Sequence, residues 1–337
     1  MTATTTLIRS PPWWQLLGVV VLLALLWRLR DAAVLFFGAV LVAATLRALA
    51  GPLVHLGLRA RWAVVLVTLL LLVLSIVGLW LLGGPLSEQL QQLRDALPPA
   101  LHAFGEWVRQ LPFGARLMDW VGGLGTASMP WGDIANFATR AVQGVTGFVL
   151  IVLMGIYLAI DVGLYRDGLV RLMPVRRRTQ VRTALDAAGE ALTRWLLGTL
   201  VTMVIIGVAV AAGLWLLGMP LALTLGLIAG LLEFIPFFGP IASGALAVLV
   251  GFSQGPQQAL YVALLFVAVQ QVEGNVLVPV VQRWAVKLPP VMSLIAVVVF
   301  GSLFGIMGIV VATPLIVVLL VLVRRLYVEE TLEAQPA

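Results

Sequence analysis

Apolar residues run through this chain in long blocks, at residues 19–27, 63–74, 145–160, 200–217 and 291–323. A helix crosses a hydrocarbon core with ~20 apolar residues. The pattern therefore predicts an all-α polytopic integral membrane protein with about eight hydrophobic membrane elements, some of them re-entrant. Ordinary spans are expected at 13–27, 32–50, 62–82, 143–160 and 195–217. The first reads as an uncleaved span, because Arg28-Leu29-Arg30-Asp31 follows it where a small-residue cleavage site would stand.

Two polar stretches interrupt the blocks. Residues 83–140 hold four Arg and five acids, with helix breaks expected at Pro85, Pro98-Pro99, Pro112 and Gly122-Gly123. Within them Leu86, Leu90, Leu93 and Leu97 recur every three or four positions, so an amphipathic helix lying along the membrane surface is expected. Residues 161–194 hold seven Arg and four acids. The positive-inside bias puts this second stretch in the cytoplasm and residues 83–140 outside, with the N-terminus inside.

The C-terminal half departs from ordinary spans. Residues 221–232 and 241–253 are each too short to cross, and between them lies Glu233-Phe234-Ile235-Pro236-Phe237-Phe238-Gly239-Pro240. Each proline lacks an amide donor and crowds the preceding turn, so a re-entrant hairpin is expected there. Residues 291–323 have the opposite problem. As one helix they would run about 50 Å at ~1.5 Å per residue, so a bend is expected at Gly301, Gly305 and Gly308. Pro220-x-x-x-Thr224-Leu225 precedes Pro289-x-x-x-Ser293-Leu294 by 69 residues, with similarly offset breaks, as in an internal repeat. Paired broken helices at corresponding positions point to a transporter's binding site. The plainer reading of Gly301-x-x-x-Gly305 is close helix packing.

Composition narrows the classes. Hydrophobic residues make up 61% and charged residues 11%, against about 45–50% and 25% in soluble domains. The formal charge is +6, and 20 of the 21 basic residues are Arg. In a membrane protein that balance reads as topology and contact with anionic lipid, not nucleic-acid binding. The absence of cysteine excludes disulfides and thiolate metal sites. No cofactor is expected, and no catalytic or metal-binding set either. Ser243-Gly244 has no histidine in any span to activate it, and neither a Walker glycine loop nor His-Glu-x-x-His occurs. The chain reads as a non-enzyme, driven by a gradient or by passive flow.

Two carboxylates remain in the apolar C-terminal half, Glu233 at the first break and Glu273 in Gln270-Gln271-Val272-Glu273-Gly274-Asn275. A carboxylate in hydrocarbon costs at least ~2.5–3.5 kcal/mol, so it normally faces a cavity or a partner. Both are candidates for binding or coupling a proton, a cation or a solute. The structural alternatives are that Glu233 caps amides at the hairpin tip and that Glu273 pairs with Arg283 or Lys287. Asn275, Gln270 and Gln271 offer neutral hydrogen bonds to a polyol or dehydrated cation, or serve as helix-end glue. Asp161, His55, His102 and Arg176-Arg177-Arg178 read as loop, solvated and topology-setting residues.

A family resemblance rests on ordered motifs: Gly218-Met219-Pro220, then Gly230-x-x-Glu233-Phe234-Ile-Pro236-Phe-Phe-Gly239-Pro240, then Glu273-Gly274-Asn275-x-x-x-Pro279. Leu288-x-Pro290 and Gly301-x-x-x-Gly305-x-x-Gly308-x-x-x-Ala312-x-Pro314 complete the set, with Tyr165 to Pro174 and Gly198 similar as well. Together they resemble the autoinducer-2 exporter family of bacterial permease-like transporters. The resemblance implies a secondary transporter of the bacterial inner membrane, exporting autoinducer-2 or exchanging sodium or lithium for protons. It also implies a homo-oligomer, a pentamer in the family's manner, with hairpin-bearing repeats moving against a scaffold. One departure is Pro289, where the family commonly has a histidine; any proton-handling role of that histidine is absent or moved here. On this reading residues 1–160 form a scaffold, 161–194 a cytoplasmic segment, 195–325 the transport unit and 326–337 a tail. Phe234, Pro236, Gly239, Pro240, Pro279, Pro290, Gly301, Gly305, Gly308 and Pro314 shape its hairpins and gates. A non-transporting scaffold that recruits partners through 161–194 is the alternative from another class.

Overall fold

The computed structural model describes residues 28–110, 134–282 and 288–332. The expected span at 13–27 lies outside them, as do Pro112, Gly122-Gly123, Arg283 and Lys287. Every regular element among the described residues is helical: α1 (Arg30–His55), α2 (Ala60–Arg109), α3 (Ile134–Ile160), α4 (Val162–Arg171), α5 (Arg178–Leu216), α6 (Ala222–Leu232), α7 (Phe238–Phe252), α8 (Pro256–Val272), α9 (Val278–Gln282) and α10 (Pro290–Val323). Short 3-10 and π segments lie at Val175–Arg177, Glu273–Leu277 and Arg324–Leu332. Five helices are long and apolar enough to cross a membrane, or six if the bent α3–α4 pair counts as one. The protein is an all-α polytopic membrane protein.

The first bundle packs on small residues. Ala39, Ala43, Leu46 and Ala50 follow one face of α1 and bury against Ala63, Val64 and Val67 of α2 and Leu158 and Ala159 of α3. The approach is close enough that a Cβ on Gly155 would lie 2.6 Å from Val42. Lipid tails are as apolar as leucine, so close van der Waals contact holds such helices together.

Helix α2 corrects one expectation. Its 50 residues run through Pro85, Pro98 and Pro99 without a break. Each proline removes one intrahelical bond and strains the preceding turn. Here that local cost is outweighed by burial of Leu93, with Leu97 packed beside it, against a core that includes Val210, Leu225 and Val250, and Ala100 is buried as well. The amphipathic stripe therefore belongs to a continuous helix docked on the C-terminal half, not to a separate surface helix.

The chain turns 83° between residues 146–160 and α4. Asp161 sits at that turn and pairs with Arg61, from the start of α2. Arg166 of α4 donates to Asp186 of α5 at 2.6 Å and to Asp167 at 3.2 Å, and Arg182 reaches Asp167 at 3.1 Å. The hydrogen bond to Asp186 holds the Arg166 guanidinium above its ordinary pKa. Polar residues 178–194 and the span that follows form one 39-residue helix, α5.

Both expected hairpins are present. Between α6 and α7 the chain reverses at Phe237, whose φ of 65° is left-handed. A Cβ on Gly239 would lie 2.0 Å from the Leu232 carbonyl oxygen, so only glycine lets the arms meet. Within α10 the reversal falls at Gly305, with φ 63° and ψ −146°. A Cβ on Gly308 would lie 1.9 Å from the Phe300 carbonyl oxygen. That is a fold-back, since residues eight apart in a straight helix are separated by about 12 Å. Gly301 lies against Ile309 of the returning arm.

Candidate functional site

The site is assembled around the tip of the first hairpin. Gly226 and Gly230 set α6 directly against α5: a Cβ on Gly230 would come within 2.7 Å of the Met203 carbonyl oxygen. This contact carries Glu233, the residue that ends α6, into the bundle, where it is 8% exposed. Phe234 follows and meets Trp195 of α5 edge-to-face at 5.7 Å. Trp195 is itself buried, in a cluster with Leu41, Leu192, Val311 and Val317 that Phe234 joins. Hairpin 1, α5, α1 and the second hairpin thus share one apolar contact zone.

Glu273 arrives from the other direction. Helix α8 ends at Val272, and Glu273–Leu277 form a π turn, a widened turn often found at functional positions. The turn presents the half-buried Glu273 to Glu233, with the two carboxyl groups alongside one another. The Gln270 amide donates to Glu273 Oε2 at 2.8 Å. The tip amides of Phe238 and Gly239 donate to the Pro236 and Ile235 carbonyls, not to the Glu233 carboxyl. Two carboxylates in contact repel strongly outside water unless a proton, cation or donor lies between them.

The other sequence candidates are distributed. Gln271 and Asn275 bond to each other: Asn275 Nδ2 donates to the Gln271 carbonyl at 2.9 Å and to its Oε1 at 3.3 Å, both side chains exposed on the π turn. Pro236 and Pro240 flank the first tip, and the Ser243 hydroxyl donates to the Gly239 carbonyl at 2.8 Å, anchoring the returning arm. Pro279 is exposed on α9, Pro290 opens α10 and Pro314 is fully buried in its second arm. Gly301, Gly305 and Gly308 form the second hairpin and join the first through the cluster containing Phe234, Val311 and Val317.

Two contacts were missed by sequence reasoning. Gln89 Oε1 accepts from both the Thr224 amide at 3.1 Å and the Thr224 hydroxyl at 2.7 Å. A side chain of α2 thereby caps the first turn of α6 from a distance. Gln258 donates to the Leu217 carbonyl at 2.7 Å, closing the end of α5 beside it. Among the sequence signals only Thr224, as part of the 69-residue repeat, marked this place. Its partner was one polar residue among several in a stretch read as surface.

This architecture is that of a polytopic membrane protein, and sequence comparison places it among transport proteins. The family model described as AI-2E family transporter matches residues 16–327. The chain belongs to that family. It is 28% identical to "Putative transport protein MT0215" of Mycobacterium tuberculosis over 91% of this chain and 87% of that one. It is 25% identical to "Putative permease PerM" of Escherichia coli over 77% of each. A shorter match, 32% identical over 43% of this chain, is to "Putative transport protein YueF" of Bacillus subtilis. The matches to the two Bacillus subtilis relatives span 39% and 47% of their lengths, so less than half of each is covered.

Proposed function

We propose that this protein is a secondary transporter that exports a small polar solute such as autoinducer-2, coupled to a proton or cation held between Glu233 and Glu273. The carrying observation is the meeting of these two carboxylates at a hairpin tip in a chain of a transporter family. Neither carboxylate has a salt-bridge partner among the described residues. An intramembrane acid with no fixed counter-ion among the described residues suits a group that takes up and releases its partner. Gln270 holds Glu273 in place, and Gln271 and Asn275 offer further polar atoms on the same turn. The hairpins Phe234–Pro240 and Gly301–Gly308 supply free backbone groups to a solute at mid-membrane depth.

The same pair favours a second reading, sodium or lithium exchange for protons. A carboxylate pair that binds either one cation or protons is a minimal exchange site. In both readings the protein sits in the bacterial inner membrane with residues 161–194 and both termini in the cytoplasm, as a homo-oligomer. Residues 195–325 form the moving unit and 1–160 the scaffold.

The test uses purified protein in proteoliposomes loaded with a pH-sensitive dye, with sodium, lithium and autoinducer-2 added in turn. A dye response to autoinducer-2 alone supports the coupled exporter. A response to sodium or lithium supports the exchanger. Silence with all three, together with no efflux of labelled autoinducer-2, overturns both readings in favour of a non-transporting scaffold.

A further inference from the structure

The geometry points to a binding site for the phosphate of an anionic phospholipid headgroup, between the start of α5 and the segment that follows α10. A cavity of about 470 Å³ opens there, lined by Arg176, Thr179, Gln180, Thr183, Arg325 and Glu329. Its donors outnumber its acceptors. Gln180 Nε2 is buried with no hydrogen-bond partner, although buried polar groups are normally satisfied. Arg176 has no carboxylate partner among the described residues. Among the described residues the carboxylate in the lining is Glu329, already held by Arg325 at 2.9 Å and Arg324 at 3.3 Å.

Charge accounting around the cavity points the same way. Of the four acids in residues 161–194, Asp161 is held by Arg61, Asp167 and Asp186 by Arg166 and Arg182, and Glu190 by Arg194. Arg171, Arg176, Arg177 and Arg178 are left without a carboxylate partner among the described residues; Arg178 donates only to the carbonyls of Met173 and Arg171. An arginine without a carboxylate partner among the described residues and an unpaired amide, both lining one cavity, suit a phosphate oxygen.

The surroundings select a lipid as the phosphate's source. Leu172 is 78% and Val175 75% exposed, immediately before Arg176. An apolar patch bordering a basic cavity matches an amphiphile whose chains lie on one and whose headgroup fills the other. Bound there, the headgroup joins residues 176–183 to the end of the second hairpin's helix. The site is separate from the Glu233–Glu273 pair and does not depend on what that pair carries.

The experiment measures binding to the full chain in neutral detergent by native mass spectrometry and by thermal melting. The probes are dioctanoyl phosphatidylglycerol, dioctanoyl phosphatidylcholine and inorganic phosphate. Phosphatidylglycerol is expected to bind and raise the melting temperature, phosphatidylcholine to do neither. Arg176→Gln, which breaks no ion pair among the described residues, should weaken phosphatidylglycerol binding by roughly tenfold. Gln180→Leu removes the unpaired donor, so the lipid-free protein should melt no lower than wild type while lipid-dependent stabilisation shrinks. Equal binding of the two lipids, or no loss in either variant, overturns the site. Equal stabilisation by inorganic phosphate alone overturns the lipid headgroup as its occupant.

Discussion

Gly239 and Gly308 hold the same place in the two hairpins. Each lies where its Cβ would strike a carbonyl oxygen of the opposite arm, Leu232 at 2.0 Å and Phe300 at 1.9 Å. They are 69 residues apart, the same interval that separates Pro220 from Pro289 and buried Thr224 from buried Ser293. The repeat in the sequence is thus a repeat of hairpin construction.

Alanine at either glycine should force the arms apart. Overpacking typically costs ~1–3 kcal/mol, and here the neighbour is backbone and cannot rotate away. Gly239→Ala and Gly308→Ala are expected to lower the melting temperature of the purified protein and to reduce the yield of folded protein on size exclusion. Gly274→Ala, with open space around it, should do neither.

The Gln89–Thr224 contact should behave as a cap. Gln89→Leu leaves an amide and a hydroxyl without their acceptor, at about 1–3 kcal/mol. A double-mutant cycle with Thr224→Val, read by thermal melting, should give a coupling of about 0.5–3 kcal/mol. Additive effects would mean that α2 merely passes beside α6.

Two other contacts separate burial from charge. The Trp195 ring is buried against Phe234, so Trp195→Ala is expected to cost about 3–5 kcal/mol. The Arg61–Asp161 pair has side chains 70% and 36% exposed. Arg61→Gln should therefore change stability by less than about 1 kcal/mol. Melting of the two variants side by side checks the ordering.

Much of this was legible from local rules. Long apolar blocks marked the spans at 32–50, 62–82, 143–160 and 195–217, though not the one at 256–280, and Pro236, Pro240 and Gly305 marked reversals, because proline and glycine act on their own turns. Two things were not local. Pro98 and Pro99 read as a break, yet burial of Leu93 and Ala100 keeps α2 continuous. Glu233 and Glu273 each stood out as an acid in an apolar half, but their meeting depends on α8 returning beside hairpin 1. No spacing rule connects residues 40 apart through two helices. The Gln89 cap was hidden for the same reason.

The most direct measurement is substrate-driven proton or cation movement in proteoliposomes, comparing wild type with Glu233→Gln and Glu273→Gln. Each variant should assemble and melt like wild type, since glutamine keeps the shape and removes the charge. Each is expected to lose coupled movement, by about 10²–10⁴-fold in initial rate, the usual scale for removing a proton-transfer group. Unchanged coupled flux in both variants would contradict a role for the carboxylate pair.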